Sequence, residues 1–212
     1  MSDYESSVGK ENKFTKNLKI IIVGDMSTGK TSIIKKYLNN EFDETVQATI
    51  VPEFSKKIEK SNDVIFKIQF WDLPGQDRNP AITSVFCRDT HGIIYCCDIN
   101  LLKSVENIKQ WDESIKYYND IEKTPKILLA NKSDLLKDEK QKNDINNILK
   151  NISSELSCIN YFITSAKTGK NINKSIDYFI NEVIKVVEEQ DIMNYNSITL
   201  DSLRGDTCVK CC

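Results

Sequence analysis

The chain has 212 residues, enough for one α/β domain with a full core plus loose ends and too few for two comfortable domains. Its formal net charge is −2 and its sequence pI is about 5.6, so nucleic acid, which needs a concentrated Lys/Arg face, is not expected as a partner. Of the 7 cysteines, Cys87, Cys96, Cys97 and Cys158 lie in apolar stretches rather than in a disulfide framework. The first residues lack a secretory apolar core, so a reducing compartment is expected. Apolar runs such as Ile20–Val23 and Ile93–Cys97 fall far below the ~20 residues needed to cross a bilayer. Any membrane attachment is therefore expected to be peripheral.

Residues 1–17 are polar and without periodicity, which reads as a loose arm, with order starting near Leu18. Leu18–Val23 reads as a buried strand that runs straight into a glycine-bounded loop. Thr31–Asn39 follows as a helix with Ile33, Ile34, Tyr37 and Leu38 available to its inner face. A loop through Thr49 leads to strands at Phe54–Lys60 and Val64–Trp71, and the turn-forming Ser61-Asn62-Asp63 between them makes a hairpin. Next come a continuous apolar strand at Gly92–Asp98, a helix at Ser104–Tyr118, a strand at Lys126–Ala130, a polar helix at Glu139–Asn151, a strand at Asn160–Ile163 and a long helix at Ile172–Glu189. Buried strands alternating with amphipathic helices imply a mostly parallel sheet covered on both faces. From residue 190 to 212 the periodicity stops, which reads as a tail. The expected organisation is thus an arm (1–17), one domain (18–189) and a tail (190–212).

Four segments carry the chemistry. Gly24-Asp25-Met26-Ser27-Thr28-Gly29-Lys30-Thr31 fits G-x-x-x-x-G-K-[ST] and lies after a strand and before a helix, where backbone N–H groups can converge on phosphates. Lys30 would reach the β and γ oxygens, and the Thr31 hydroxyl would ligate Mg²⁺. Alone, this loop specifies only a nucleoside triphosphate. Asn131-Lys132-Ser133-Asp134 follows an apolar strand directly, at the edge where open α/β sheets bind ligands. The Asp134 carboxylate can accept from guanine N1–H and its 2-amino group. Adenine offers neither donor there, so ATP should be disfavoured by several orders of magnitude. Thr164-Ser165-Ala166-Lys167 ends the last strand in the same way, with the Ala166 N–H available to guanine O6. The fourth segment is Asp72-Leu73-Pro74-Gly75-Gln76.

With these segments in this order, the chain resembles the small Ras-like GTPases, most closely the Rab branch, from about Leu18 to Glu189. Ala48-Thr49-Ile50 with Phe54, Trp71-Asp72, Ile82-Thr83-Ser84, Arg88, His91-Gly92-Ile93-Ile94 and the terminal Cys211-Cys212 all look like Rab segments. Gly29 to Tyr37 looks like the Rab subgroup of lysosome-related organelles. The resemblance implies a three-layer P-loop GTPase fold: a mostly parallel six-stranded sheet with one antiparallel edge strand and helices on both faces. It also implies nucleotide contacts from Asp25, Met26, Ser27, Thr28, Gly29, Lys30, Thr31 and Ser32, with Phe42 stacked on guanine. Asn131, Lys132, Asp134, Ser165, Ala166 and Lys167 would complete the base site. Thr31, Thr49 and Asp72 would hold Mg²⁺, Gly75 would donate its N–H to the γ-phosphate, and Gln76 would orient the attacking water. Phe54, Trp71 and Phe86 match the trio through which Rabs meet effectors, although Trp71 and Phe86 read equally well as core aromatics.

The activity so implied is a GTP/GDP switch in vesicular or organelle trafficking with slow hydrolysis, on the order of 10⁻⁴ to 10⁻³ per second without an activating protein. Departures from the family pattern cluster near the γ-phosphate. Met26 and Ser27 replace small residues, and Pro74, which fixes its own φ and lacks an N–H, stands before Gly75. Val51-Pro52 and Asn79-Pro80 alter the switch loops. Tight GTP and Mg²⁺ binding with turnover at or below the slow end of the class is expected, the alternative being a GTP-retaining scaffold with negligible hydrolysis. An ATP-dependent kinase or ATPase is disfavoured by Asp134.

Cys208-Val209-Lys210-Cys211-Cys212 reads as a metal cluster, an exposed thiol trio or a lipid acceptor, and three thiolates without a His or a fourth Cys make a poor zinc site. The Rab resemblance implies geranylgeranyl groups on Cys211 and Cys212, at roughly 0.8 kcal/mol per buried CH₂. From Glu188 to Cys212 the acidic Glu188, Glu189, Asp191, Asp201 and Asp206 outnumber the basic Arg204 and Lys210, so protein partners rather than anionic lipid should set the target membrane. The implied partners are an exchange factor, a GTPase-activating protein, a GDP-dissociation inhibitor and effectors, at the cytoplasmic face of an endomembrane with cycling through cytosol. The lone His91 reads as structural, and Trp111 with Ile108 and Ile115 as a core-facing stripe.

Overall fold

The structure, a computed structural model, describes residues 14–61, 64–76, 85–117, 121–136 and 139–205. Its elements in chain order are β1 (Phe14–Val23), α1 (Lys30–Asn39), β2 (Glu53–Ser61), β3 (Val64–Asp72), β4 (Gly92–Asp98), α2 (Leu102–Glu106), α3 (Ile108–Lys116), β5 (Lys126–Asn131), α4 (Glu139–Glu155), β6 (Asn160–Ile163) and α5 (Ile172–Gly205). One six-stranded sheet runs in the order β2-β3-β1-β4-β5-β6. Only the β2–β3 pair among these is antiparallel, with Phe54 opposite Trp71. The mostly parallel sheet with an antiparallel edge is therefore as the sequence implied.

Strand periodicity divides the core in two. Ile20 and Ile22 of β1 face one layer, where they meet Ile33 of α1 and Phe179 and Val183 of α5; Ile21 and Val23 face the other, with Trp111 of α3 and Leu149 of α4. In α5, Ile172, Ile176, Phe179, Ile180, Val183 and Ile184 are all buried, the spacing of a single helical stripe. Burying both faces of β1, β4 and β5 is what their continuous apolar runs require.

Three sequence expectations need correction. The first strand starts at Phe14 rather than near Leu18, because Phe14–Asn17 extend the parallel ladder against Val64–Lys67. The side chains at this end are mostly exposed, which hid the strand from a burial pattern. The helix expected at Ser104–Tyr118 is divided at Asn107 into α2 and α3, and Tyr118 lies outside the described residues. The regular pattern does not stop at Glu189: α5 continues to Gly205, and among its described side chains Val187 is the last that packs against the core. Asn62 and Asp63, Asn79-Pro80, Ile82-Thr83-Ser84, most of the arm and the terminal cysteines lie outside the described residues.

Candidate functional site

A cavity of about 380 Å³ opens over the N-terminus of α1 and the ends of β1, β5 and β6. Met26, Ser27, Gly29, Lys30, Thr31 and Ser32 line one side, Asn131, Lys132, Asp134, Ala166 and Lys167 the other, and Phe42, Thr49 and Gly75 come from intervening loops. Asp25, Thr28, Asp72, Gln76 and Ser165 stand behind, each bonded to a lining residue. The structure thus gathers into one place the residues that the sequence spread over four segments.

At the α1 end the loop turns sharply. Gly29 has φ of 94°, and a Cβ there would come within 2.3 Å of Asn131 Nδ2. The buried Lys30 ammonium donates to the carbonyls of Gly24 and Asp25, both at 2.9 Å. Burial lowers the Lys30 pKa, with Cys96, Asp72 and Asp25 offsetting it only in part. Burial likewise raises Asp72, against the hydrogen bonds from Thr31 and Thr49 and the charge of Lys30. A desolvated ammonium beside a desolvated carboxylate favours a ligand that brings negative charge to the first and a cation to the second.

The oxygens near Asp72 suit such a cation. Thr31 Oγ1 lies 3.0 Å from Thr49 Oγ1, Thr49 is 3.3 Å from Asp72 Oδ2, and Thr31 also bonds that oxygen. Asp72 Oδ1 is buried and has no hydrogen-bond partner among the described residues. Two hydroxyls and an orphaned carboxylate oxygen are the hard donors that Mg²⁺ takes. Beside them a Cβ on Gly75 would sit 2.5 Å from Met26 N and 2.7 Å from Lys30 Nζ, so only glycine lets this backbone close on the loop. The exposed Gln76 donates from Nε2 to Met26 Sδ at 3.3 Å. Pro74 is buried just before them.

At the β5–β6 end, rigid strand ends do the positioning. Asn131 donates to Thr28 O at 2.9 Å and accepts from Ala166 N–H at 3.0 Å, which ties three loops together. Lys132, left-handed at φ 66°, pairs with Asp98 at 2.8 Å. A short 3₁₀ turn, Ser133–Leu135, then presents Asp134, whose Oδ1 accepts from Ser165 Oγ at 2.5 Å. Phe42 stands half-exposed at the mouth, where Lys167 Nζ meets Glu44 Oε1 at 2.5 Å. Sequence reasoning missed Asp98 and Glu44, since neither lies in a motif. It also missed Asn107, which bonds Asp25 from α3.

Away from the cavity, Phe54 stacks on Trp71 with ring centroids 5.1 Å apart, and Trp71 contacts Phe86 at 6.0 Å. Trp71 and Phe86 pack against the core while Phe54 remains 49% exposed, so the trio has a buried base and an open edge. Among the described residues no helix is long and apolar enough to cross a membrane.

A glycine-bounded loop between a buried strand and a helix, facing an Asn-Lys-x-Asp turn across one cavity, defines a P-loop protein of the guanine-nucleotide-binding class. Residues 19–185 match the Ras family. The chain is 34% identical over 176 residues to Ras-related protein Rab-32A of Dictyostelium discoideum, covering 79% of this chain and 78% of that protein. It is 30% identical over 197 residues to Ras-related protein RABG3c of Arabidopsis thaliana, covering 92% and 95%, and 30% identical over 196 residues to Ras-related protein Rab7 of Gossypium hirsutum, covering 89% and 91%. The chain belongs to the Ras family of small GTPases, in its Rab branch. It is a guanine-nucleotide-binding GTPase, and the Rab kinship implies a role in membrane trafficking.

Proposed function

We propose that this Rab-like GTPase is a Mg²⁺-dependent GTP/GDP switch with slow intrinsic turnover. The observation that carries the reading is the convergence of Thr49, on the loop before β2, and Gly75, after β3, on Lys30 and Thr31. Thr31, Thr49 and Asp72 would hold Mg²⁺, which when bound supplies positive charge against the phosphate oxygens. Lys30 neutralises the β and γ oxygens, Gly75 N–H meets the γ-phosphate, and Asp134 with Ala166 N–H selects guanine between Phe42 and Lys132. Gln76 orients the attacking water. Because Thr49 and Gly75 contact the ligand through its terminal phosphate, hydrolysis removes what holds both loops, and partners distinguish the two forms.

Slow turnover is supported by the engagement of the Gln76 amide with the Met26 sulfur, a contact that must break before the Nε2 group can bind a water. Taken further, the same contact supports a second reading, a scaffold that retains GTP with negligible hydrolysis. The Phe54–Trp71–Phe86 patch serves effectors, whose choice Val51-Pro52 alters. Exchange factor, GTPase-activating protein and GDP-dissociation inhibitor act on the switch loops. Cys211 and Cys212 carry geranylgeranyl groups that hold residues 18–189, as the functional domain, to the cytoplasmic face of an endomembrane between cytosolic intervals. Nucleotide analysis of freshly purified protein, followed by single-turnover conversion of loaded GTP, tests the reading. Guanine nucleotide with turnover on the order of 10⁻³ per second or slower supports the switch; no measurable conversion supports the scaffold; adenine nucleotide overturns both.

A further inference from the structure

Asp25 lies inside the phosphate loop, yet its carboxylate points out of the cavity. Its Oδ2 accepts from Asn107 Nδ2 at 2.6 Å and its Oδ1 from Trp111 Nε1 at 2.9 Å. Asn107 caps the start of α3 and Trp111 sits one turn later, so a single helical face presents both N–H groups. The indole is 2% exposed and packed in the core cluster with Val105, Ile108 and Ile115, which fixes its direction. On its other side, the Asp25 carbonyl accepts from Lys30 Nζ and from Thr28 Oγ1, both at 2.9 Å. Hydrogen bonds on the side chain and on the backbone of Asp25 therefore link the core helix, through this one residue, to the Lys30 ammonium.

An acidic side chain in a polyphosphate-binding loop is an electrostatic liability, because a carboxylate free to swing would set like charge against the ligand in a partly desolvated site. Two neutral donors that bind it on the far side remove the hazard and satisfy the part-buried oxygens. We propose that Asn107 and Trp111 are positioning residues for phosphate binding: they clamp the Asp25 carboxylate away from the nucleotide and thereby slow nucleotide release. The inference rests on the phosphate-loop reading above.

The test is the release rate of a fluorescent GDP analogue from full-length protein. Asn107→Ala, at the helix junction, leaves the core untouched and is expected to speed release about threefold; with Trp111→Phe, which keeps an aromatic ring in the core, the expected increase is about tenfold. The effect should be larger at low ionic strength. The decisive variant adds Asp25→Asn to that pair. Removing the charge should bring release back toward the unmodified rate, which the loss of a merely structural tie would not do. Unchanged release in Asn107→Ala and in the pair, or accelerated release that Asp25→Asn fails to reverse, overturns the clamp while the nucleotide site stands. A chain that binds no guanine nucleotide brings down the functional reading and the clamp together. Should the pair not fold, the indole N–H resonance of Trp111 in otherwise unmodified protein decides: it shifts on Asp25→Asn if the bond exists and stays in place if it does not.

Discussion

The two ends of the cavity differ in what holds them. At the base end, Asn131 links Thr28 to Ala166 and Asp134 rests on Ser165, all within turns that leave β5 and β6 directly. At the phosphate end, Lys30 is fixed by the loop's own carbonyls, whereas Thr49 comes from the connection between α1 and β2, Gly75 and Gln76 follow β3, and all three meet the loop only through hydroxyl, backbone and sulfur contacts. A group braced by strand ends keeps its geometry whether or not ligand is bound, whereas a group on a loop keeps it only while the ligand returns the favour. On the reading proposed above, selection of the purine is preformed and sensing of the last phosphate is conditional.

The strongest way to break this contrast is Asp134→Ala. Loss of two charge-assisted hydrogen bonds, each about 1.5–3 kcal/mol, should weaken GTP binding by on the order of a hundredfold or more in calorimetric titration. A loss below about tenfold would mean that guanine is read elsewhere. Met26→Gly probes the conditional end: freeing Gln76 should raise single-turnover hydrolysis about tenfold with little change in GTP affinity, consistent with a contact felt mainly in the transition state. Equal rates in both proteins would remove Met26 as the cause of slow turnover.

A separate acid sensitivity lies away from both ends. His91 Nδ1 accepts from Lys19 N–H at 3.1 Å, which requires a neutral ring nitrogen there. Burial lowers its pKa from 6.5, Asp89 opposing and Lys19 assisting. The folded pKa is therefore below the unfolded one, and the unfolded chain takes the proton first. The stabilisation is fully present above about pH 6.5 and is lost as pH falls through the folded value. Thermal unfolding of His91→Gln against the unmodified chain should converge in acid and diverge near neutrality; a constant difference would exclude the linkage. The smallest effect is expected for Lys167→Ala at the mouth. An exposed pair with Glu44 should change GDP release only about twofold, and less in high salt, in stopped-flow measurements.

Much of this arrangement was legible in the chain. The continuous apolar run Ile20–Val23 and the helical stripe from Ile172 to Ile184 report burial directly, and β2, β3, β4, β5 and β6 were placed within a residue or two. Where burial fades, the reading failed: Phe14–Asn17 pair with β3 while their side chains are mostly exposed, and α5 continues past Glu189, where the side chains of residues 189–193 are exposed. Backbone ladders leave no trace in hydrophobic pattern when side chains face water. Asp25 shows the same limit within the site. Its place in the loop was evident, but the direction of its carboxylate depends on Asn107 and Trp111 far along the chain.

By itself, the order of residues determined the chemistry and the class: the spacing around Lys30, the acceptor at Asp134 and the alternation of buried runs admit few other folds, because local geometry and side-chain type are enough to state what those groups can bind. Only the tertiary structure decided how the groups are held. Asn131 serves as a tie between three loops, the Gln76 amide leans on Met26, and Asp25 faces away from the cavity, since each of these depends on distances between segments that the sequence separates and only the packed sheet brings within hydrogen-bond reach.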